Sequence, residues 1–562
     1  MDLVAFGPQG VGRLPSEIWR RILALLDLRV RLCATHVCHG LRQHVLETVT
    51  FWRVLDLNLV PDSRAPDAQG RWGELVHSSH SCREGLVRWM AAPPHWPAMG
   101  AHPLRHVHTL CLPRLVFDDV TVDFPSLIDR RTAPALTDLD LCGVSGRFAE
   151  QMVGDLLRNC SQTLKTVLLC DIPGSVLGAP GDLMSMICND SQGMPRLEVL
   201  DLSGSFCYPG HDLGPGQGAD FCDMITSFCP RLHSISVGYQ SELQTRSGWP
   251  AACIMASDDL IDSPAAGGEP EESLFERLQE LRIHGAPRLS DAGFLFGAHL
   301  KRETESGWVI SSDRNPLPLR TLVIPYALQV TASGLGPLLP HCPLLTTLNI
   351  RCSGAGGVLS AVAACCPRLT SLNVSCTTIE PVSVRELAHG CPALQVLDLC
   401  YATCASEADD NHKRGFDVAL REAVHHVCHV HGASGSVPLR MLGLGGFRAL
   451  RDEHMRAILA LCPALDHLGI GGCLALSPTA LDVVGELSPQ LTSLNAHELQ
   501  VAGPHVIERL LERCPALHSI DFEGVAGSST TGSNDELHEL LGKLAESRPY
   551  RTIEDRLSLT SP

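Results

Sequence analysis

Basic residues are scarce in this sequence. Its 562 residues include 44 Lys and Arg against 62 Asp and Glu, which gives a formal net charge of -18. Such a charge repels nucleic acid and anionic lipid, so the sequence predicts no nucleic-acid partner and no membrane partner. A neutral or basic protein is the expected partner.

Long apolar runs are also missing. No stretch reaches the roughly 20 consecutive apolar residues that cross a bilayer. The opening residues MDLVAFGPQG contain no positive segment that leads into an apolar run, which predicts no secretion signal. We therefore expect a cytoplasmic or nuclear protein, or one found in both compartments. Its 24 cysteines should then stay reduced and be buried as small apolar side chains.

Aromatic residues are few, at 5%, although hydrophobic residues as a whole make up 44% of the chain. A chain of this length is too long for one ordinary core, so it must contain several domains or one repetitive array. A core rich in aliphatic and poor in aromatic side chains favours the array, in which similar side chains fill each layer.

One phrase recurs along the chain. Near-copies of it are CPLLTTLNI, CPRLTSLNV, CPALQVLDL, CPALDHLGI and CPALHSIDF, which start at Cys342, Cys366, Cys391, Cys462 and Cys514. Weaker copies start at Ala133, Met194, Cys229 and Ser488. The cleanest copies are 24 to 26 residues apart, a period in the range of leucine-rich repeats.

The unit that starts at Cys462 is the most complete. Leu468 and Ile470 alternate with Gly469, which predicts a short strand with both apolar side chains on one face. A helix is predicted next, because apolar residues recur at helical spacing at Ala480, Leu481, Val484 and Leu487. Cys473 closes the turn between them. Stacked units of this kind join their strands into one parallel sheet.

These repeats resemble the cysteine-containing leucine-rich repeat over most of residues 104–525. The resemblance implies an α/β solenoid, a horseshoe with a parallel concave sheet and outer helices. We expect loop insertions near 203–220, 241–274 and 401–437, and a C-terminal cap and tail at 526–562. The repeat is degenerate, because the position of Cys473 is filled elsewhere by Ala286, Ala327, Ser353, Thr377, Ala402 and Phe447.

Residues 14–52 follow a different design. Pro15 can begin a helix, and Leu14, Ile18, Ile22 and Leu26 at four-residue steps give that helix one apolar face. These residues resemble the opening of an F-box, with Val37 and Cys38 matching its second helix and Trp52 its end. The sequence has Leu41 where the family has a Trp. We assign 12–58 to the F-box and 59–103 to a helical linker.

The F-box resemblance implies two protein partners, a Skp-type adaptor and a cullin. It also implies a function, the substrate-recognition subunit of a Skp-cullin-F-box ubiquitin ligase that directs a protein target to ubiquitination and proteasomal degradation. The alternative is a leucine-rich interaction scaffold without ubiquitin transfer, in which the N-terminal helices only cap the solenoid. The residues expected to contact the adaptor are Leu14, Pro15, Ile18, Ile22, Leu26, Val37 and Cys38.

The concave sheet is the expected binding surface for the protein substrate. Residues that flank the buried leucines of each strand should point into it, although they can equally be ordinary solvated strand positions. The candidates are Glu280, Arg282, His284, Asn349, Arg351, Asn373, Asp398, His467, Asn495, His497, Asp521 and Glu523.

No sequence motif predicts chemistry, so we expect no catalytic residue, no cofactor and no metal. The sequence contains no Gly-x-Ser-x-Gly, Walker or His-Glu-x-x-His motif, and no cysteine outside the repeated Cys-Pro positions stands out as a nucleophile. Gly443–Gly446 resembles part of a phosphate loop but occupies the strand-turn position of a repeat. One tract could bind zinc, and the other interpretation of it is a solvated helix end; it contains His425, His426, Cys428, His429 and His431.

Overall fold

A computed structural model describes the chain from residue 53 to residue 521, with gaps. The described residues are 53–56, 103–112, 128, 133–172, 193–205, 225, 227–238, 277–285, 289–291, 301–304, 307–309, 316–404, 410–433, 438–477, 479–499 and 504–521. The predicted F-box up to residue 52, nearly all of the linker, the insertion at 241–274 and the tail at 526–562 lie outside them. The chain divides into two compact units, Met1–Ile235 and Ser236–Pro562.

The first unit contains a row of short parallel strands, each paired with the next along the chain. The first of them lies before residue 104, where the repeats were expected to begin. A helix, α1 (Ala149–Cys160), connects the third strand to the fourth. The strands are β1 (Val54–Asp56), β2 (Thr109–Cys111), β3 (Asp138–Asp140), β4 (Thr166–Leu168) and β5 (Val199–Asp201). The boundary between the units, after Ile235, falls within the next strand, β6 (Ser234–Gly238).

The second unit repeats the same design, and its strands pair in parallel in chain order. They are β7 (Glu280–His284), β10 (Thr321–Val323), β11 (Thr347–Asn349), β12 (Ser371–Asn373), β13 (Val396–Asp398), β14 (Met441–Gly443), β15 (His467–Gly469), β16 (Ser493–Asn495) and β17 (Ser519–Asp521). A separate antiparallel pair comprises β8 (Lys301–Thr304) and β9 (Gly307–Val309).

Helices connect most of these strands and lie together on one side of the sheet. They are α2 (Ala332–Leu335), α3 (Leu359–Cys365), α4 (Pro381–Gly390), α5 (Asp410–Ala433), α6 (Asp452–Leu461), α7 (Ala480–Leu487) and α8 (Pro504–Arg513). The predicted α/β class, a leucine-rich-repeat solenoid with a parallel sheet and outer helices, is confirmed. The strand at Leu468 and the helix that begins at Ala480 lie where the sequence predicts them.

Each repeat makes its turn in the same way. The central leucine of the strand is buried, as Leu348 is, and a residue with positive φ lies three residues after the strand's last residue, as Cys352 does after Asn349. Glycine adopts this left-handed backbone without cost, but a side chain there is uncommon. Glycine fills the turn at Gly446 and Gly472, whereas Tyr326, Cys352, Cys376, Tyr401 and Glu498 fill it elsewhere in the second unit.

The Cys-Pro phrase ends the helices. Cys366, Cys391 and Cys462 follow the last residues of α3, α4 and α6, and the proline after each cysteine has no N–H with which to extend the helix. The thiols are buried, and Cys391 Sγ donates to the Cys366 carbonyl at 3.6 Å. Burial raises the pKa of Cys366 and of Cys391 to about 12. The predicted burial of cysteines as small side chains is confirmed at these positions.

The expected loop insertion at 401–437 is largely a helix. The 24-residue α5 occupies most of it and packs against α4 and α6. It is helical because Leu420, Val424 and Val427 recur at helical spacing and are buried. Among the described residues, no helix is both long enough and apolar enough to cross a bilayer.

Candidate functional site

The strand face of the second unit, meaning the face of its sheet opposite the helices, carries the predicted binding residues. Alternation along each strand buries the leucine and turns its neighbours to this face, as in the intermediate-buried-intermediate pattern of His467–Gly469. The described candidates on this face are Glu280, Arg282, His284, Asn349, Arg351, Asn373, Asp398, His467, Asn495, His497 and Asp521. Glu523 lies outside the described residues.

Five of these candidates line one groove on the strand face. The space between its side chains is about 560 Å³, open solvent included. The five are Arg351, Asp398, His467, Asn495 and His497. Glu280, Arg282, His284, Asn349, Asn373 and Asp521 are not among the residues that line it.

Four glycines form the floor of the groove, where β14 and β15 pass into their turns. Gly443, Gly445, Gly469 and Gly471 occupy positions that carry outward side chains in the neighbouring repeats. The floor therefore has no side chains at these positions, although Gly443, Gly445 and Gly471 are themselves buried and only Gly469 of the four is partly exposed. The walls are Arg351, Ser375, Cys376, Asp398 and Cys400 on one side, Ser493, Asn495 and His497 on the other, with Tyr401, Met441, His467 and Leu468 between them.

The neighbouring side chains require three of these glycines. A Cβ at Gly443 would overlap Asp398 Oδ1, one at Gly471 would overlap the His497 ring, and one at Gly445 would lie 3.1 Å from Cys400 Sγ. Gly469 differs, because a Cβ there would meet Cys400 Sγ at 3.4 Å, an ordinary contact. A side chain can therefore be introduced into the groove at Gly469 with its Cβ at ordinary contact distances.

Asp398, in the wall of the groove, is hydrogen-bonded to Asn373 of the adjacent strand β12. Asn373 Nδ2 donates to Asp398 Oδ2 at 3.1 Å, and the backbone N–H of Cys400 donates to Asp398 Oδ1 at 3.0 Å. The Ser375 N–H and hydroxyl donate to Asn373 Oδ1 at 3.0 and 2.8 Å. Both side chains are buried, and burial raises the pKa of Asp398 although these hydrogen bonds and Arg351 oppose the shift.

The same bond to the backbone two residues ahead recurs in both units. Asn349 accepts from the Arg351 N–H at 3.1 Å, and Asn495 from the His497 N–H at 3.3 Å. Asp140 in the first unit accepts from the Cys142 N–H at 3.0 Å. Where an Asn or Asp follows the central leucine, its side chain therefore fixes the backbone at the exit of the strand. This role explains why the residue recurs in the repeat.

Tyr401 passes over the turns of the next two repeats to reach a third at the edge of the groove, and no sequence pattern indicates this role. Its hydroxyl lies 2.5 Å from His497 Nε2, and the two rings stack with centroids 5.9 Å apart. The phenol passes over Gly446 and Gly472, where a Cβ would lie 2.7 and 2.5 Å from it. Burial raises the pKa of Tyr401 to about 12.

Three cysteines lie at the other edge, and sequence reasoning missed them as well. Cys376 and Cys400 line the groove, and Cys352 occupies the turn of the adjacent repeat. A hydrogen bond with Cys376, together with the charge of Arg351, lowers the pKa of Cys352 to about 7. The Arg351 guanidinium is buried and lies 5.4 Å from the centroid of the Tyr326 ring.

The histidine tract does not gather on one side of α5. His425 and His429 are exposed, whereas Cys428 and His431 are buried toward the neighbouring helices. The prediction of a solvated helix end is therefore wrong for Cys428 and His431, because helical spacing turns them to the apolar face. In the part of the chain that the structure describes, no three His, Cys, Asp or Glu side chains are placed to hold a metal ion.

The residues predicted to contact the adaptor, Leu14, Pro15, Ile18, Ile22, Leu26, Val37 and Cys38, all lie outside the described residues. The groove is thus the candidate site that the structure itself defines.

No family model matches the chain. Among curated proteins, an adenine phosphoribosyltransferase from Desulfosudis oleivorans is 27% identical over 92 residues, which cover 16% of this chain and 53% of that enzyme. The chain thus spans about half the length of that relative. At this identity and coverage, the match assigns no family and no activity.

Similar solved structures include leucine-rich-repeat proteins. An internalin from Listeria monocytogenes is 13% identical, with a TM-score of 0.35, over 78% of this chain and 94% of that one. Rad7 in complex with Elc1 from yeast is 14% identical, with a TM-score of 0.33, over 84% and 94%. A TLR13–ssRNA13 complex is 14% identical, with a TM-score of 0.31, over 75% and 46%. These similarities identify no partner, and the stacked strands themselves define the fold.

Proposed function

We propose that this chain is the substrate-recognition subunit of a Skp-cullin-F-box ubiquitin ligase. Its N-terminal segment binds the Skp-type adaptor, and the groove on the strand face binds a protein target. The chain is not an enzyme in this account. It holds a lysine of the target near the charged ubiquitin carrier, so that its contribution to the reaction is proximity, and the ubiquitinated target is degraded by the proteasome.

The glycine-floored groove is the observation that carries the binding role. Glycines replace the outward side chains at the ends of β14 and β15, and the walls place a few polar groups around a mostly apolar space, which is the usual composition of a binding site. The walls are also rigid, because Asp398 and Asn495 are hydrogen-bonded to the backbone that follows them. A side chain of the target can therefore enter a preformed space.

The N-terminal residues support the ligase role through their resemblance to an F-box. Leu14 and Pro15 lead an apolar face that an adaptor can cover, and the order of F-box followed by leucine-rich repeats is that of a known family architecture. An interaction scaffold without ubiquitin transfer would use the same groove but would require no adaptor contact at Leu14 and Pro15.

Size-exclusion chromatography with light scattering tests the adaptor role. The full chain and a purified Skp-type adaptor should elute as a one-to-one complex, and Leu14→Ala with Pro15→Ala should abolish it. Leu474→Ala is the matched control, because Leu474 is 69% exposed on the solenoid and its truncation removes the same side chain elsewhere. Failure of the unmodified chain to bind the adaptor would leave the scaffold as the better assignment.

A further inference from the structure

Cys352 and Cys376 occupy equivalent positions in two adjacent repeats. Strands β11 and β12 pair with Asn349 opposite Asn373, and each cysteine follows its asparagine at the same distance along the chain. The Cys352 N–H donates to the Ser375 carbonyl at 3.0 Å, which holds the two turns together. Adjacent strands are roughly 4.8 Å apart, and a disulfide joins Cα atoms about 4.4–6.8 Å apart. The backbone spacing therefore suits a disulfide between them.

Both thiols are free and partly exposed, and they are close enough to share a hydrogen bond. They differ in this from the cysteines of the Cys-Pro phrase, such as Cys366 and Cys391, which are buried in the core. Cys376 also lines the groove. A reaction at this pair would therefore change one wall of the candidate site.

The charge of Arg351 favours the thiolate form of both cysteines. The hydrogen bond from Cys376, together with this charge, lowers the pKa of Cys352 to about 7, whereas the same hydrogen bond and burial raise the pKa of Cys376. A thiolate is the nucleophile in disulfide exchange. Cys352 is thus the attacking thiol near neutral pH, and Cys376 is placed to complete the exchange.

We propose that Cys352 and Cys376 form a reversible disulfide between repeats, with a small-molecule disulfide such as oxidised glutathione as the oxidant. The Cys352 thiolate attacks one glutathione sulfur, forms a mixed disulfide and releases one glutathione. The Cys376 sulfur then loses its proton, attacks the Cys352 sulfur and releases the second glutathione. Two protein thiols are oxidised and one glutathione disulfide is reduced to two thiols. The proposal does not depend on the proposed ligase role.

The first unit contains a natural control for this pair. Cys142 and Cys170 also match each other in adjacent repeats, each two residues after its strand, β3 or β4, and both are free and partly exposed. A hydrogen bond with Cys170 and burial raise the pKa of Cys142, and the nearby charge of Asp140 adds to the shift. Similar spacing with a carboxylate in place of a guanidinium predicts a pair that resists oxidation.

Mass spectrometry tests the proposal on the full chain. The protein is equilibrated with mixtures of reduced and oxidised glutathione, quenched with acid and N-ethylmaleimide, and digested with trypsin. Cys376 then lies in peptide 369–385, where it is the only cysteine, and Cys352 lies in peptide 352–368 with Cys365 and Cys366. Fragmentation of the linked peptides should place the bond at Cys352, and Cys352→Ser should abolish the link.

The rate gives an independent readout. Arg351→Gln should slow oxidation roughly two- to fivefold, because a smaller thiolate fraction is only partly offset by higher nucleophilicity. Circular dichroism of each variant checks that the repeats remain folded. A glutathione adduct on Cys352 that never progresses to a link, a link that persists in Cys352→Ser, or equal oxidation of the Cys142–Cys170 pair would each overturn the proposal.

Discussion

The strand pair β12 and β13 and the strand pair β14 and β15 have the same backbone arrangement. The two pairs differ in the side chains that they place on the strand face. In the first two, Asn373 and Asp398 are buried and hydrogen-bonded to each other, so the strand face is covered. In the second two, Gly443 and Gly469 occupy the equivalent positions and place no side chain on the strand face. Because the buried leucines define the repeat, the outward positions are free to vary, and their variation creates the groove.

The largest expected effect concerns what the two regions share. Leu397 in β13 and Leu442 in β14 are both 0% exposed. Truncation of either to alanine should lower the free energy of unfolding by about 2–5 kcal/mol, because each leaves a cavity in the core. Urea denaturation of the two variants measures this. A loss of unfolding free energy in only one of the two variants would contradict the claim that the core stabilises β13 and β14 in the same way.

Polar substitutions should separate the regions. Asn373→Ala removes the donor to Asp398 and the acceptor for Ser375, and it should cost about 1–3 kcal/mol because buried groups lose their partners. Gly469→Ala should change stability by less than about 1 kcal/mol, because its backbone is not left-handed and its Cβ meets only an ordinary contact. Equal losses of unfolding free energy in the two variants would contradict the distinction between the hydrogen-bonded Asn373–Asp398 pair and the glycine floor.

Tyr401 links the repeat of β13 to the repeat of β16 on the other side of the groove. Tyr401→Phe removes its hydrogen bond to His497 and should cost about 0.5–1.5 kcal/mol. Because the folded pKa of Tyr401 is raised to about 12, the advantage of tyrosine is present below the unfolded pKa of about 10. It should be lost as pH rises through about 12. Stability of both proteins at pH 9 and at higher pH measures this, and a difference that grows with pH would refute the assignment.

The smallest effect is expected at the surface. Arg440 pairs with Asp466 at the edge of β14 and β15, and its side chain is 61% exposed. Arg440→Ala should cost less than about 1 kcal/mol, and the cost should shrink in high salt. A larger loss that salt leaves unchanged would show that the bridge, and not the glycine floor, organises this region.

The repeat spacing made the fold predictable, because each strand and helix depends on residues close together in the sequence. Leu468 and Ala480 illustrate this local pattern. The groove was harder to predict from the sequence. Asn495 and His497 were predicted to face it, but Tyr401 reaches His497 across 96 residues. The low pKa of Cys352 likewise requires Cys376 from the next repeat. Contacts between repeats join residues that are far apart in the sequence, so local sequence patterns do not predict them.

The most direct test of the account is whether the adaptor and the target bind through separate parts of the chain. Three proteins are expressed in cells with distinct isotope labels: the unmodified chain, Leu14→Ala with Pro15→Ala, and Gly469→Trp, which fills the groove. Gly415→Trp is the control, because nothing lies within 4 Å of a Cβ at that exposed helix position. Quantitative mass spectrometry then measures the proteins that co-purify with each.

The account predicts that the adaptor and cullin are lost only from the N-terminal variant, and that a distinct set of proteins is lost only from Gly469→Trp. Absence of adaptor and cullin from the unmodified chain, or retention of every bound protein by Gly469→Trp, would contradict it.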